Sequence, residues 1–211
     1  KEIGESKVLA MICDSTNIFY PGRAGSELDV RESLLKIMSL KSKKIIITSF
    51  ASNVARMESV FYCADKINRS VSLVGRSMNR IFKAARQCGY LNNVKDPIDP
   101  RDAKKLPREK IIYLCTGSQG EPMGAMKRII KDIHPDVFIE KGDTVIFSSK
   151  IIPGNEKKLY SLHNDIVRKE VELVTEETEF VHVSGHPNRE DLKDMYNWVK
   201  PESIIPVHGE H

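Results

Sequence analysis

Histidine placement is the feature of this sequence that most directly suggests chemistry. Of the six histidines, His182, His186, His208 and His211 all fall between positions 182 and 211. Imidazole is the commonest metal ligand and titrates near neutrality, so both ligation and proton transfer are open to such a group. His182 and His186 stand four residues apart, which on a helix would resemble half of a zinc-protease motif. Val183, Gly185 and Pro187 argue instead for a strand that leaves into a turn, so the pair diverges rather than chelating one ion side by side.

Other polar clusters follow apolar runs. Val8 to Ile12 leads into Cys13-Asp14-Ser15-Thr16-Asn17, and Ile111 to Cys115 into Thr116-Gly117-Ser118-Gln119-Gly120-Glu121-Pro122. Phe180 to Val183 leads into Ser184-Gly185-His186, and Ile204 to Val207 into His208-Gly209-Glu210-His211. In the Thr116 loop two glycines and small polar side chains precede a helix, so backbone N–H groups there can cradle a phosphate. The loop lacks the lysine and spacing of a P-loop and does not match GxGxxG, which argues against a nucleotide cofactor. Thr48-Ser49-Phe50-Ala51-Ser52-Asn53, ahead of a helix holding Arg56, and Gly75-Arg76-Ser77-Met78 read as helix caps or strand-to-helix turns.

The elements that must position these residues alternate. Apolar, β-branched runs at Val8–Ile12, Lys44–Thr48, Val71–Val74, Ile111–Cys115, Thr144–Phe147, Val171–Val174, Phe180–Val183 and Ile204–Val207 read as buried strands. Helical spacing appears between most of them, as in Val54, Met57, Val60, Phe61 and Ala64, and in Met123, Met126, Ile129 and Ile130. Such alternation predicts an α/β fold with a parallel sheet and sites in the loops after the strands' carboxyl ends. Asn92 to Arg108, with three of the ten prolines, reads as a long surface loop.

Composition sets broad limits. A net charge of +4 and a pI near 8.8 tolerate a polyanionic partner without requiring one. The local run Arg101, Lys104, Lys105, Arg108, Lys110 reads as a solvated loop. Cys13, Cys63, Cys88 and Cys115 form no CxxC pair and are expected to be buried cytosolic thiols. No apolar run approaches the roughly 20 residues that cross a bilayer, and no secretory signal is visible, so a cytoplasmic location without membrane contact is expected.

The polar segments, taken with Ile152-Pro153-Gly154-Asn155-Glu156, follow one another in an order that resembles the β-CASP branch of the metallo-β-lactamase-fold nucleases, most closely the ribonuclease J family. The resemblance covers nearly the whole chain. It implies an α/β, parallel-sheet β-CASP domain with flanking helices over residues 24–170, and edge strands of a metallo-β-lactamase domain in 1–23 and 171–211.

The same resemblance implies roles. His208 would be a zinc ligand, and His186 would act near the scissile phosphate with Asp14 orienting it. His182, Ser184 and Gly185 would hold a substrate phosphate, and Asn53, Arg56, Arg76, Thr116, Gly117, Ser118 and Gln119 would contact RNA. The activity implied is zinc-dependent RNA hydrolysis in processing and decay, 5′-to-3′ with possible internal cleavage, using two Zn2+ ions. The implied partner is single-stranded RNA, preferably 5′-monophosphorylated, and the full-length protein would be a homo-oligomer.

One departure qualifies the match: the family's His-x-His-x-Asp-His metal motif occurs nowhere in these 211 residues. The chain alone is therefore expected to be inactive. Two other readings stay open, a non-catalytic RNA-binding or scaffold module and a DNA-directed β-CASP nuclease.

Overall fold

In the computed structural model, which describes residues 2–208, the elements run β1 (Ala10–Asp14), α1 (Glu27–Ser39), β2 (Ile45–Thr48), α2 (Val54–Lys66), β3 (Ser70–Val74), α3 (Arg76–Gln87), α4 (Pro100–Ala103), β4 (Ile111–Cys115), α5 (Ala125–Ile130), β5 (Thr144–Phe147), α6 (Glu156–Arg168), β6 (Glu172–Val174), α7 (Arg189–Val199) and β7 (Ser203–Val207). The chain divides into two units, one of residues 27–182 and one of residues 1–26 with 183–211.

In the larger unit every pairing is parallel and the strand order is β3-β4-β2-β5-β6. β2, β4 and β5 are buried along their whole length, which explains why they read as continuous apolar runs: helices cover both faces of a parallel sheet. Ile46 pairs with Tyr113 on one side and Val145 on the other, and all three belong to a core completed by Met126, Ile129, Leu159 and Ile166 from α5 and α6. The helices contribute the apolar stripes expected of amphipathic segments, such as Met57, Val60, Phe61 and Ala64 of α2.

In the smaller unit β1 lies parallel to β7, with Asp14 opposite Val207, and α7 lies in the connection between them. Ile12, Ile204 and Ile205 remain 47–68% exposed, as edge strands are. Arg189 of α7 donates to Ile18 O at 3.1 Å and Phe19 O at 3.2 Å, and Asp191 accepts the Ala24 N–H at 2.8 Å, tying both ends of the chain into this unit.

Two expectations about elements change. Phe180–Val183 forms no strand; Val181 is buried as its apolar character requires, but its carbonyl is satisfied by side chains instead of a ladder. By its contacts the larger unit also takes in residues 171–182, since β6 pairs with β5 and Arg56 bonds the Val181 carbonyl. The segment 92–108 is not simply a surface loop: Ile98 N–H donates to Val71 O at 2.8 Å, α4 interrupts it and Ala103 is fully buried. In its basic run, Lys104 pairs with Asp136, Lys105 with Asp102 and Arg108 with Asp143, so much of the charge is balanced locally. Of the cysteines expected to be buried, Cys63 and Cys115 are, whereas Cys88 is exposed.

Candidate functional site

The smaller unit holds the densest polar arrangement among the predicted site residues. Parallel pairing of β1 and β7 brings their carboxyl ends to the same side, the usual place for an α/β site. Asp14 closes β1, and Ser184, Gly185 and His186 lie in the turn that precedes α7. Asp14 Oδ2 is 2.5 Å from His186 Nδ1, and Asp14 Oδ1 accepts the Thr16 N–H at 2.9 Å. The Thr16 N–H first, and then the His186 bond, hold the Asp14 carboxyl far below the usual carboxylate range. An ionised carboxylate accepts from Nδ1–H and so fixes one imidazole tautomer, leaving Nε2 for another partner. The His186 side chain is 48% exposed, so such a partner has access.

Asn17 organises the turn. Its Nδ2 donates to Ser184 Oγ and to His186 O, both at 3.2 Å, while the His186 N–H donates to Ser184 Oγ at 3.1 Å. Asn17 is buried, and its backbone also bridges Asn188. It stands in the Asp14-Ser15-Thr16-Asn17 segment but is not among the residues singled out from sequence; the only local signal is an amide-bearing residue in a polar strand-end loop. Gly185 has open space where a Cβ would stand, leaving its backbone approachable.

His208 follows β7 directly, is exposed and has φ +60°. Gly209, Glu210 and His211 lie outside the described residues. A structural or catalytic zinc needs three or four protein ligands. Among the described residues no three His, Cys, Asp or Glu side chains come together to supply them. Among the described residues the donor set, one imidazole at His208, does not fit a zinc ion by itself.

His182 belongs to the larger unit, apart from Ser184 and Gly185. Its Nδ1 is buried and finds no hydrogen-bond partner among the described residues. Burial, then the Arg56 guanidinium and, more weakly, Lys150, push its pKa down to about 4. The imidazole is therefore neutral at physiological pH.

Arg56 corrects an expectation. It is completely buried and cannot contact RNA in this conformation. Its Nη1 donates to Ser148 O and Val181 O, both at 2.9 Å, and its Nη2 and Nε bond Glu27 at 2.8 and 3.0 Å. Ser148 Oγ donates to the same Val181 carbonyl at 2.7 Å. Asn53 caps α2 by accepting the Arg56 N–H at 2.9 Å and donates to Glu27, so it too is engaged internally.

Ser118 and Gln119 are also buried, which excludes open contact by their side chains. Gln119 Nε2 donates to Lys150 O at 2.8 Å and its Oε1 accepts the Ile152 N–H at 2.9 Å, clamping two loops together. Gly117, at φ +112°, would place a Cβ 2.9 Å from Met126 Cβ, so glycine is required for close packing there. Thr116 is half-buried against Gly75 and Arg76 is exposed at the start of α3.

Comparison with known proteins places these features in a family. Residues 42–166 match the model "Ribonuclease J, beta-CASP domain", and residues 170–211 match "Zn-dependent metallo-hydrolase RNA specificity domain". The chain is similar to ribonuclease J of Sinorhizobium meliloti, at 43% identity over 210 residues covering 100% of this chain and 37% of the relative. It is similar to ribonuclease J of Mycolicibacterium smegmatis at 37% identity, covering 98% of this chain and 37% of the relative. Ribonuclease J 1 of Streptococcus pyogenes is 38% identical, with 99% of this chain and 38% of the relative covered. The chain thus spans less than two-fifths of the length of these curated relatives.

Proposed function

The chain belongs to the ribonuclease J family, and we propose that it is the RNA-gripping segment of a metal-dependent ribonuclease that acts in RNA processing and decay. The observation that carries the reading is the Asp14–His186 pair. When a ring whose Nδ1–H is bonded to an ionised carboxylate carries a second proton on Nε2, that proton can be donated to, or transferred to, the leaving oxygen of a phosphodiester. Ser184 and the open backbone of Gly185, beside it in sequence, would bind a phosphate of the same strand. The substrate we assign is single-stranded RNA with a 5′-monophosphate, degraded from that end and cut internally.

The names of the relatives, and the zinc dependence and RNA specificity in the description of the domain matched by residues 170–211, support this reading. His208 would contribute one imidazole to a zinc site of two ions in all, for which the described residues gather no other ligands.

The test uses a full-length ribonuclease J carrying this segment, assayed on matched RNA and DNA strands. RNA cleavage lost in His186→Ala and retained in a surface control such as Lys105→Gln is expected. Equal cleavage of DNA, or full activity of His186→Ala, overturns the proposal.

A further inference from the structure

α3 differs from the other long helices in its charge. Among the described helices of ten or more residues it alone carries no carboxylate, yet it holds Arg76, Arg80, Lys83 and Arg86. Arg86 is engaged, pairing with Asp96 and donating to Val94 O at 2.8 Å. Arg76, Arg80 and Lys83 are exposed, and among the described residues they make no ion pair or side-chain hydrogen bond.

Their spacing of four and then three residues sets the three cations on one face. The buried Met78, Phe82 and Ala85 have the same spacing and occupy the opposite face, anchoring the helix. At 1.5 Å per residue the cationic stripe runs for about 10 Å.

Folding does not reward this arrangement. Like charges three and four residues apart on a helix repel, and Arg76 sits in the first turn, where the helix dipole favours an anion. In the 101–110 segment, by contrast, three of the five cations are matched by Asp102, Asp136 and Asp143. The stripe also starts where β3 ends, at the carboxyl edge of the sheet, with Gly75 packed on Thr116. A polyanion lying along α3 would relieve the repulsion that the fold leaves in place.

We propose that Arg76, Arg80 and Lys83 form a track that holds the sugar-phosphate backbone of single-stranded RNA along α3. The proposal rests on the RNA reading above and extends it to Arg80 and Lys83. Cations placed in this way fix the path of the strand without reading its sequence.

The test measures binding of this chain to a labelled single-stranded RNA across a salt series. Three variants are compared: wild type, Arg76→Gln/Arg80→Gln/Lys83→Gln, and a control of equal charge change at ion-paired positions, Lys105→Gln/Lys131→Gln/Lys193→Gln. Each single-strand phosphate that a protein cation neutralises adds roughly 0.7 to the steepness of log K against log salt, so the α3 variant should flatten that slope by about two while the control leaves it nearly unchanged. The α3 variant should also keep or raise its thermal midpoint, since repulsion is removed. If RNA binds with an unchanged slope in the α3 variant, the track is wrong and the RNA reading stands. If the control flattens the slope equally, the effect is net charge and the track is wrong. If RNA duplex or heparin shows the same loss of slope, the single-strand assignment is wrong. If the chain binds no RNA at any salt, the RNA reading fails and the track with it.

Discussion

Asp14 and His186 are 172 residues apart in sequence and joined at 2.5 Å in the structure. The Thr16 N–H on the other carboxylate oxygen keeps Asp14 ionised, so its value to His186 lies in its charge as well as its position. Asp14→Asn keeps the shape and removes the charge. Positioned proton transfer typically contributes 10²–10⁴-fold, so in a full-length enzyme Asp14→Asn should lower the cleavage rate by about 10²-fold or more, with RNA affinity nearly unchanged. Single-turnover cleavage and equilibrium binding of the same RNA, measured side by side, check this; a matched fall in affinity would assign Asp14 to binding instead.

Ser184 tests the phosphate assignment separately. Its Oγ accepts from Asn17 and from the His186 N–H, and its hydroxyl proton remains to be donated. Hydrogen bonds to charged groups are worth about 1.5–3 kcal/mol, so Ser184→Ala should reduce the preference for 5′-monophosphate over 5′-hydroxyl RNA by roughly tenfold to a hundredfold. Internal cleavage of the same strand should be spared. Paired substrates differing only at the 5′ group decide it, and an equal loss of both activities removes Ser184 from the pocket.

Arg56 predicts a stability effect. Arg56→Met fills much of the same volume but takes the charge partner from Glu27, leaving it the Asn53 amide, and removes a donor from the Val181 and Ser148 carbonyls. Breaking a buried pair costs roughly 3–5 kcal/mol, and the cost here should lie near 3 because Glu27 keeps 29% exposure. Urea denaturation of this chain measures it. A loss under about 1 kcal/mol would mean that the network adds little, as is typical of surface pairs.

His182 should titrate with a midpoint near 4, followed by its ring resonances in NMR. The sign for stability follows. Between the ordinary histidine value near 6.5 and about 4, the unfolded chain binds a proton that the folded chain refuses, so this contribution is complete above pH 6.5 and is lost as pH falls toward 4. In Arg56→Met the midpoint should rise, since a neighbouring cation is gone. A midpoint near 6.5 in the wild type would show that His182 is open to water.

Sequence pattern and structure part company at identifiable residues. Strands β4 and β5 fall where their apolar runs place them, because burial on both faces leaves a signal in every residue. Phe180–Val183 carries the same signal without a partner strand: apolarity reports burial, and Val181 is buried by side-chain and loop contacts. Arg56, Ser118 and Gln119 sit in polar loops and helix starts that resemble ligand-facing positions, yet their partners are Val181, Ser149 and Lys150, supplied by distant parts of the chain. Asn17 shows the reverse, since nothing near it in sequence announces Ser184 and His186.

The sequence by itself determined the alternation of strand and helix, the parallel sheet, the family, and the strand ends where polar residues gather, because period and polarity are local properties written residue by residue. Only the tertiary structure decided which of those polar groups face outward and which are buried as struts. That depends on partners far along the chain: Asp14 meets His186 because Asn17, three residues on, bonds Ser184 and His186 and bridges Asn188, and Arg56 is buried because Glu27, Ser148 and Val181 converge on it.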